Sequence, residues 1–175
     1  ARDFGDPPLE ERYDLADALA VASFLNVLHR NADKVRLANL AQMVNVIAPM
    51  VTRPDGLLLQ SIYWPLVAAA EHRGSVALDV WSESEGFSPG GGMAEAPYLD
   101  VSATLDEGAR LLFIHAVNRG RDDAIELRLR LHDATPRPEG MRHVITADDP
   151  SAANTWEAPE AVTLRTARRD RAGRH

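Results

Sequence analysis

The chain has 175 residues, 26 acidic and 19 basic, giving a net charge of -7, and 45% of its residues are hydrophobic. This is the composition of a folded domain, or of parts of two, rather than of a disordered segment, and the acidic balance argues against nucleic acid or an anionic membrane as partner. Without cysteine there is no disulfide framework, thiolate metal site or thiol nucleophile. The longest apolar run, residues 57–70, is broken by Gln60, Ser61 and Pro65, and it falls short of the roughly 20 residues a membrane-spanning helix needs.

The opening "ARDFGDPPLEERYD" has neither an initiator methionine nor an apolar signal core and reads as the continuation of a longer chain. Asp14 then precedes "LADALAVASFLNVLHRN", where Leu15, Ala18, Leu19, Ala22, Leu25 and Leu28 recur at helical spacing. Asp14 and Asp17 suit its first turn, His29 and Arg30 its negative pole, and Asn31 its termination. A short helical segment over 33–42 is expected next.

In "MVNVIAP" the β-branched Val44, Val46 and Ile47 surround a single polar Asn45 and end at Pro49. This is the profile of a short buried parallel strand over 44–48. "TRPDG" supplies a loop, and "SIYWPLVAAAEH" predicts a helix over 61–72, with Pro65 tolerated near its start and Gly74 as its stop. Helix, strand, loop and helix in that order are the grammar of an α/β fold.

From Ser75 the pattern changes to period two. "SVALDVWS", "YLDVSATL", "RLLFIHAV", "AIELRLRL" and "AVTLRT" predict strands, with a Gly/Pro loop over 83–97 and hairpin connections at 106–108 and 118–123. Leu99, Val101, Ala103 and Leu105 share one face. Ile125, Leu127, Leu129 and Leu131 face inward, with Glu126, Arg128 and Arg130 outward. The expected class is therefore α/β plus all-β, divided at Gly74 into residues 1–74 and 75–175. Neither part is self-sufficient, because one strand makes no sheet and a single greasy sheet face needs a cover.

The generic motifs carry little chemistry. Glu83 and Glu85 form an E-x-E pair suited to a solvated loop, and Asp148 and Asp149 precede Pro150 as turn residues do. The histidines at 29, 72, 115, 132, 143 and 175 show no metal-ligand spacing. Ser61 and Ser88 lack a nucleophile elbow, and Gly90, Gly91 and Gly92 match no phosphate loop. Trp81, Tyr98 and Trp156 are the aromatics from which a sugar platform would have to be built, and the Arg-rich end reads as a solvated terminus. Gln60 stands apart. If 44–48 is a barrel strand, Asn45, Pro49 and the loop to Gln60 approach its carboxyl end, where barrel active sites form. An amide there, flanked by Leu59 and Ile62, can hydrogen-bond a sugar hydroxyl; helix capping or a loop hydrogen bond is its alternative role.

The stretch "YDLADALAVASFLNVLHRNADKVRLANLAQMVNVIAP", with "LLLQSIYWPL", "APYLDVSATL", "LLFIHAVNR" and "ITADDPSAANTWEAPEAV", resembles the family 51 glycoside hydrolases, the α-L-arabinofuranosidases. The resemblance spans nearly the whole chain. It implies the last strand and helices of a (β/α)8 TIM barrel followed by an antiparallel, jelly-roll-like β-sandwich. It also implies a retaining hydrolase that releases terminal non-reducing α-L-arabinofuranosyl groups from arabinan, arabinoxylan and related oligosaccharides. Such enzymes work by double displacement between two glutamates, without a metal cofactor. Both glutamates belong to segments upstream of Ala1, so no catalytic residue is assigned here. Gln60 matches a position where the family has a sugar-binding glutamine, although Leu58 and Leu59 replace the family's usual Trp-Arg before it. The expected partners are an arabinose-containing oligosaccharide or polysaccharide, the upstream barrel portion and further copies in a homo-oligomer, with no nucleic acid and no membrane; the expected location is cytoplasmic. The alternative is a non-catalytic carbohydrate-binding or assembly β-sandwich.

Overall fold

The computed structural model describes residues 10–169 except 122, 123, 133 and 138. In chain order the elements are helix α1 (Leu15–Arg30), strands β1 (Met50–Arg53) and β2 (Gly56–Leu59), helix α2 (Tyr63–Glu71), and strands β3 (Val76–Leu78), β4 (Gly86–Phe87), β5 (Ala96–Pro97), β6 (Leu99–Asp106), β7 (Leu111–Asn118), β8 (Gly140–Thr146) and β9 (Thr163–Arg169). Strands outnumber helices, and every strand pair among the described residues is antiparallel: β1-β2, β3-β6-β7, β4-β5 and β8-β9.

Helix α1 starts as its sequence requires. The Asp14 carboxylate accepts from the Asp17 amide, and the Asp17 carboxylate accepts from the Asp14 amide, each at 3.0 Å, which closes a reciprocal capping box. Asp14→Ala is expected to cost about 1 kcal/mol, read as a lowered midpoint in urea denaturation. The buried residues of the helix are Leu15, Ala18 and Asn26, so its inward stripe ends on an amide. In α2, Pro65 is the third residue, where no intrahelical acceptor is needed. That helix ends at His72, whose amide donates to the Ala68 carbonyl, rather than at Gly74.

Gly74 has a different task. Its amide donates to Thr104 Oγ1 at 2.8 Å, and a Cβ on it would overlap the main chain of Leu105 and Asp106. Close approach to β6, not helix termination, requires glycine here.

The central sheet carries the core. In β6, residues 99–104 are all buried, between β3 and β7 and with α1 packed on the sheet. The β6-β7 hairpin turns at residues 107–110, pairing Leu105 with Leu112 and Leu99 with Asn118. At the other end, Asn154 ties the approach to β9 onto β2. Its Nδ2 donates to the Leu59 and Val162 carbonyls, and its Oδ1 accepts from the Val162 amide, all within 2.7–2.8 Å.

Three expectations need correction. The short helix at 33–42 is absent: a turn at 31–34 is followed by irregular backbone. Nor is 44–48 a strand. Val44, Val46 and Ile47 are exposed, and Asn45 and Val46 both have φ of 61°, which β-sheet geometry forbids. The strand lies immediately after, as the hairpin β1-β2, whose pattern was masked by the turn residues Pro54 and Asp55 between two four-residue runs. Finally, 124–131 forms no strand, and Leu129 is 54% exposed instead of facing inward. Alternation alone does not make a strand without a neighbour to complete its ladder. Here the leucines line an open trough of about 2120 Å³ bounded by both helices, β7 and β8.

Candidate functional site

Gln60 sits where the approach to α1, the loop before β1 and the end of β2 converge. Its main-chain amide donates to the Pro49 carbonyl at 2.8 Å. Its side-chain Oε1 accepts from the Tyr13 amide at 3.1 Å, and Nε2 donates to the Glu11 carbonyl at 3.1 Å and the Ala48 carbonyl at 2.9 Å. The side chain is buried, the whole residue being 3% exposed. A carboxamide has two donor hydrogens and two acceptor lone pairs, so both donors are used and one acceptor position on Oε1 remains.

The surrounding contacts fix this seat. Ser61 Oγ donates to the Asp14 carbonyl at 2.6 Å, the Glu11 amide to the Val46 carbonyl at 2.7 Å, and Tyr13 OH to the Ile47 carbonyl at 3.0 Å. Asn45 holds the loop from inside: its Nδ2 donates to Thr52 Oγ1 at 3.1 Å, while its Oδ1 accepts from the Thr52 amide at 2.7 Å. Its left-handed backbone is one that asparagine tolerates; the same φ at Val46 is unfavourable for a β-branched residue and is held by the Glu11 hydrogen bond.

Beside this seat lies an open edge. Residues 33–44 are exposed at every position, Leu37 at 77%, and among the described residues the backbone from 36 to 42 has no hydrogen-bond partner. Asn39 and Gln42 project from this segment. Sequence reasoning placed them in the short helical segment expected over 33–42, which the structure does not form.

A second polar cluster, also missed, joins α1 to β6. Asn26, 1% exposed, donates from Nδ2 to Asp100 Oδ2 at 3.0 Å and accepts at Oδ1 from Ser102 Oγ at 2.7 Å. Arg30 Nη1 pairs with Asp100 Oδ1 at 2.8 Å and donates to the Val101 carbonyl at 2.8 Å. His29 Nδ1 lies 3.1 Å from Ser102 Oγ. Burial, reinforced by Arg73 and Arg30, keeps the His29 pKa below its ordinary value.

The remaining candidates are not brought together. Glu83 and Glu85 are exposed loop residues, and Asp149 accepts from the Ser151 amide and hydroxyl in a surface turn. Tyr98 stacks on Phe87, Trp156 lies under the Arg53 guanidinium at 4.1 Å, and Trp81 is 83% exposed, so the three aromatics have separate surroundings. Among the described residues no group of three or more His, Asp or Glu side chains is placed to hold a metal ion, and no helix is long and apolar enough to cross a membrane.

Comparison with known families supplies the deciding observation: the family description "Alpha-L-arabinofuranosidase C-terminal domain" matches residues 3–174. The chain belongs to this family. Among curated relatives of this arabinofuranosidase domain, the intracellular exo-alpha-(1->5)-L-arabinofuranosidase of Streptomyces lividans is 36% identical over 166 residues, covering 93% of this chain and 25% of that protein. The enzyme of the same description from Bifidobacterium longum is 35% identical over 163 residues, covering 89% of this chain and 28% of that protein. The chain thus spans only about a quarter of the length of these relatives. Its fold superposes on the GH51 alpha-L-arabinofuranosidase of Thermotoga petrophila with a TM-score of 0.83 at 31% identity, covering 93% of this chain and 35% of that one. The arabinose complex of the Thermotoga maritima enzyme gives 0.79 at 32% identity, with 91% and 35% covered. These similarities support the family and the strand-rich fold expected from the sequence.

Proposed function

We propose that the chain is the carboxyl-terminal part of a retaining α-L-arabinofuranosidase. The enzyme removes terminal non-reducing α-L-arabinofuranosyl groups from arabinan, arabinoxylan and related oligosaccharides by double displacement, with both catalytic glutamates in polypeptide outside these 175 residues. The family match along 3–174 carries this reading. In it, residues 1–74 complete a (β/α)8 barrel and 75–175 form a jelly-roll-like sandwich; the assembled enzyme is cytoplasmic, homo-oligomeric and free of any cofactor.

The exposed segment supports the barrel portion. Leu37, Leu40, Met43, Val44, Val46 and Ile47 are bare, as are Phe24 and Val27 on the outer side of α1, a surface suited to burial against a larger partner. The backbone of 36–42, unpartnered among the described residues, leaves its donors and acceptors open to strands of such a partner. On this reading the closing strand of the barrel is 35–42 instead of 44–48. Its carboxyl end, the catalytic face of a barrel, is then Gln42.

The two glutamines divide the work on this reading. Gln60 offers one Oε1 lone pair to a sugar hydroxyl, and otherwise sustains the loop that follows the strand. Gln42, exposed, has its whole amide available. In the intact enzyme, Gln60→Ala is expected to lower the melting temperature as well as activity, since it strands the Tyr13 amide and the Glu11 and Ala48 carbonyls. Gln42→Ala is expected to lower kcat/KM on an aryl arabinofuranoside about 10-fold or more, the loss expected for a hydrogen bond to substrate of 1.4 kcal/mol or more, with the melting temperature unchanged. Reversal of that pattern would return 35–42 to a structural role. The 175-residue chain alone should show no arabinofuranosidase activity, and turnover by it would place the catalytic groups here.

A further inference from the structure

We propose that His29, His115, His72 and His143 form an acid-sensitive seam: a ladder of two imidazole pairs, joined through the His72 main chain, that holds the helices to the sheets while neutral and loosens them when it takes up protons. Each ring comes from a different element. His29 is in the last turn of α1, and its ring centroid lies 4.9 Å from that of His115 on β7. The His72 main chain, at the end of α2, contacts the His115 ring. The His72 ring stacks on His143 of β8 at 3.8 Å and 20°. The ladder therefore crosses from α1 to β7 to α2 to β8, without a sequence spacing that would reveal it.

The environment disfavours charge. His115 Nε2 is buried and has no hydrogen-bond partner among the described residues, so a proton placed there gains no acceptor from them. The His115 pKa is pushed down by burial and then by His29, against a favourable main-chain contact from His72. His143 is lowered by burial and by His72, with Glu71 opposing, and its Nδ1 lies 2.8 Å from Thr166 Oγ1 of β9. The other charges facing the ladder are Arg30 and Arg73, which oppose protonation of His29; Asp100 of β6 is already paired with Arg30.

The sign follows from these directions. Three rings have folded-state pKa values below the ordinary histidine value of about 6.5, so the unfolded chain binds protons first as pH falls. Stability is full above that value and declines below it. The loss is felt where the helices meet the sheets.

The test is made on the intact enzyme, by following imidazole carbon–proton resonances and thermal unfolding between pH 8 and 4.5. The expected result is that His29 and His115 titrate below the ordinary range, and that His115→Phe flattens the acid loss of melting temperature. If His29, His115 and His143 titrate independently near the ordinary value, the proposal is overturned. Identical melting profiles in wild type and a folded His115→Phe variant would also overturn it. Should that variant fail to fold, the wild-type titration decides alone.

Discussion

Asn26→Ala is expected to destabilise the chain by about 3 kcal/mol or more, because it strands buried groups rather than merely removing one hydrogen bond. Asn26 lies at the end of the inward stripe of α1, where it receives the Ser102 hydroxyl and donates to Asp100. Both partners are buried on β6. After the substitution, Ser102 loses the Asn26 acceptor and keeps only its 3.1 Å contact with His29 Nδ1. Asp100 keeps only Arg30, whose side chain is one-third exposed and correspondingly screened. Urea denaturation measures the loss, and the contrast is Asn31→Ala, which removes an exposed hydrogen bond to the Val27 carbonyl. Equal costs at the two positions would refute the claim that the buried network fastens helix to sheet. A cycle with Ser102→Ala should show coupling above about 0.5 kcal/mol, as for residues sharing one network.

Gly74→Ala is expected to have a comparable effect for a different reason. The added methyl has nowhere to go, since the atoms it would meet belong to the main chain of Leu105 and Asp106. A flexible side chain could move aside, but a paired strand cannot: Leu105 is held by both Val76 and Leu112. The cost is about 3 kcal/mol, at the upper end of overpacking substitutions. It should accompany loss of the hydrogen bond from the Gly74 amide to Thr104. Gly92→Ala separates close approach from simple glycine replacement, because a Cβ there meets nothing. That variant pays only for its positive φ, and a melting temperature as low as that of Gly74→Ala would count against the steric explanation.

Features set by neighbours in sequence were legible. The capping box needs only Asp14 and Asp17 three residues apart, and α1 appeared with its correct start. The long alternating runs of β6 and β7 are present, and β9 overlaps its expected run, 161–166, but extends to Arg169 into the Arg-rich end that was read as a solvated terminus. The unit β8 was missed because "GMRHVIT" interrupts its apolar residues with Arg142 and His143, which weakens the alternation. At Gln60 the sequence located a structurally invested amide, yet it could not reveal that Tyr13, Glu11 and Ala48 occupy most of its capacity. Those partners come from 12 to 49 positions away.

The sequence by itself determined the helix start, the principal hairpin and membership of a domain family whose mixed-polarity motifs persist across the chain, because each depends on local periodicity or on residue identity. Only the tertiary structure decided that Asn26 is a fastening, that Gly74 is a point of contact, that distant histidines meet in two ring pairs, and that residues 33–44 stand open. These depend on which surfaces face one another. Burial, hydrogen-bond completion and ring contact are properties of pairs of elements, and a one-dimensional pattern of polar and apolar residues does not specify the pairs.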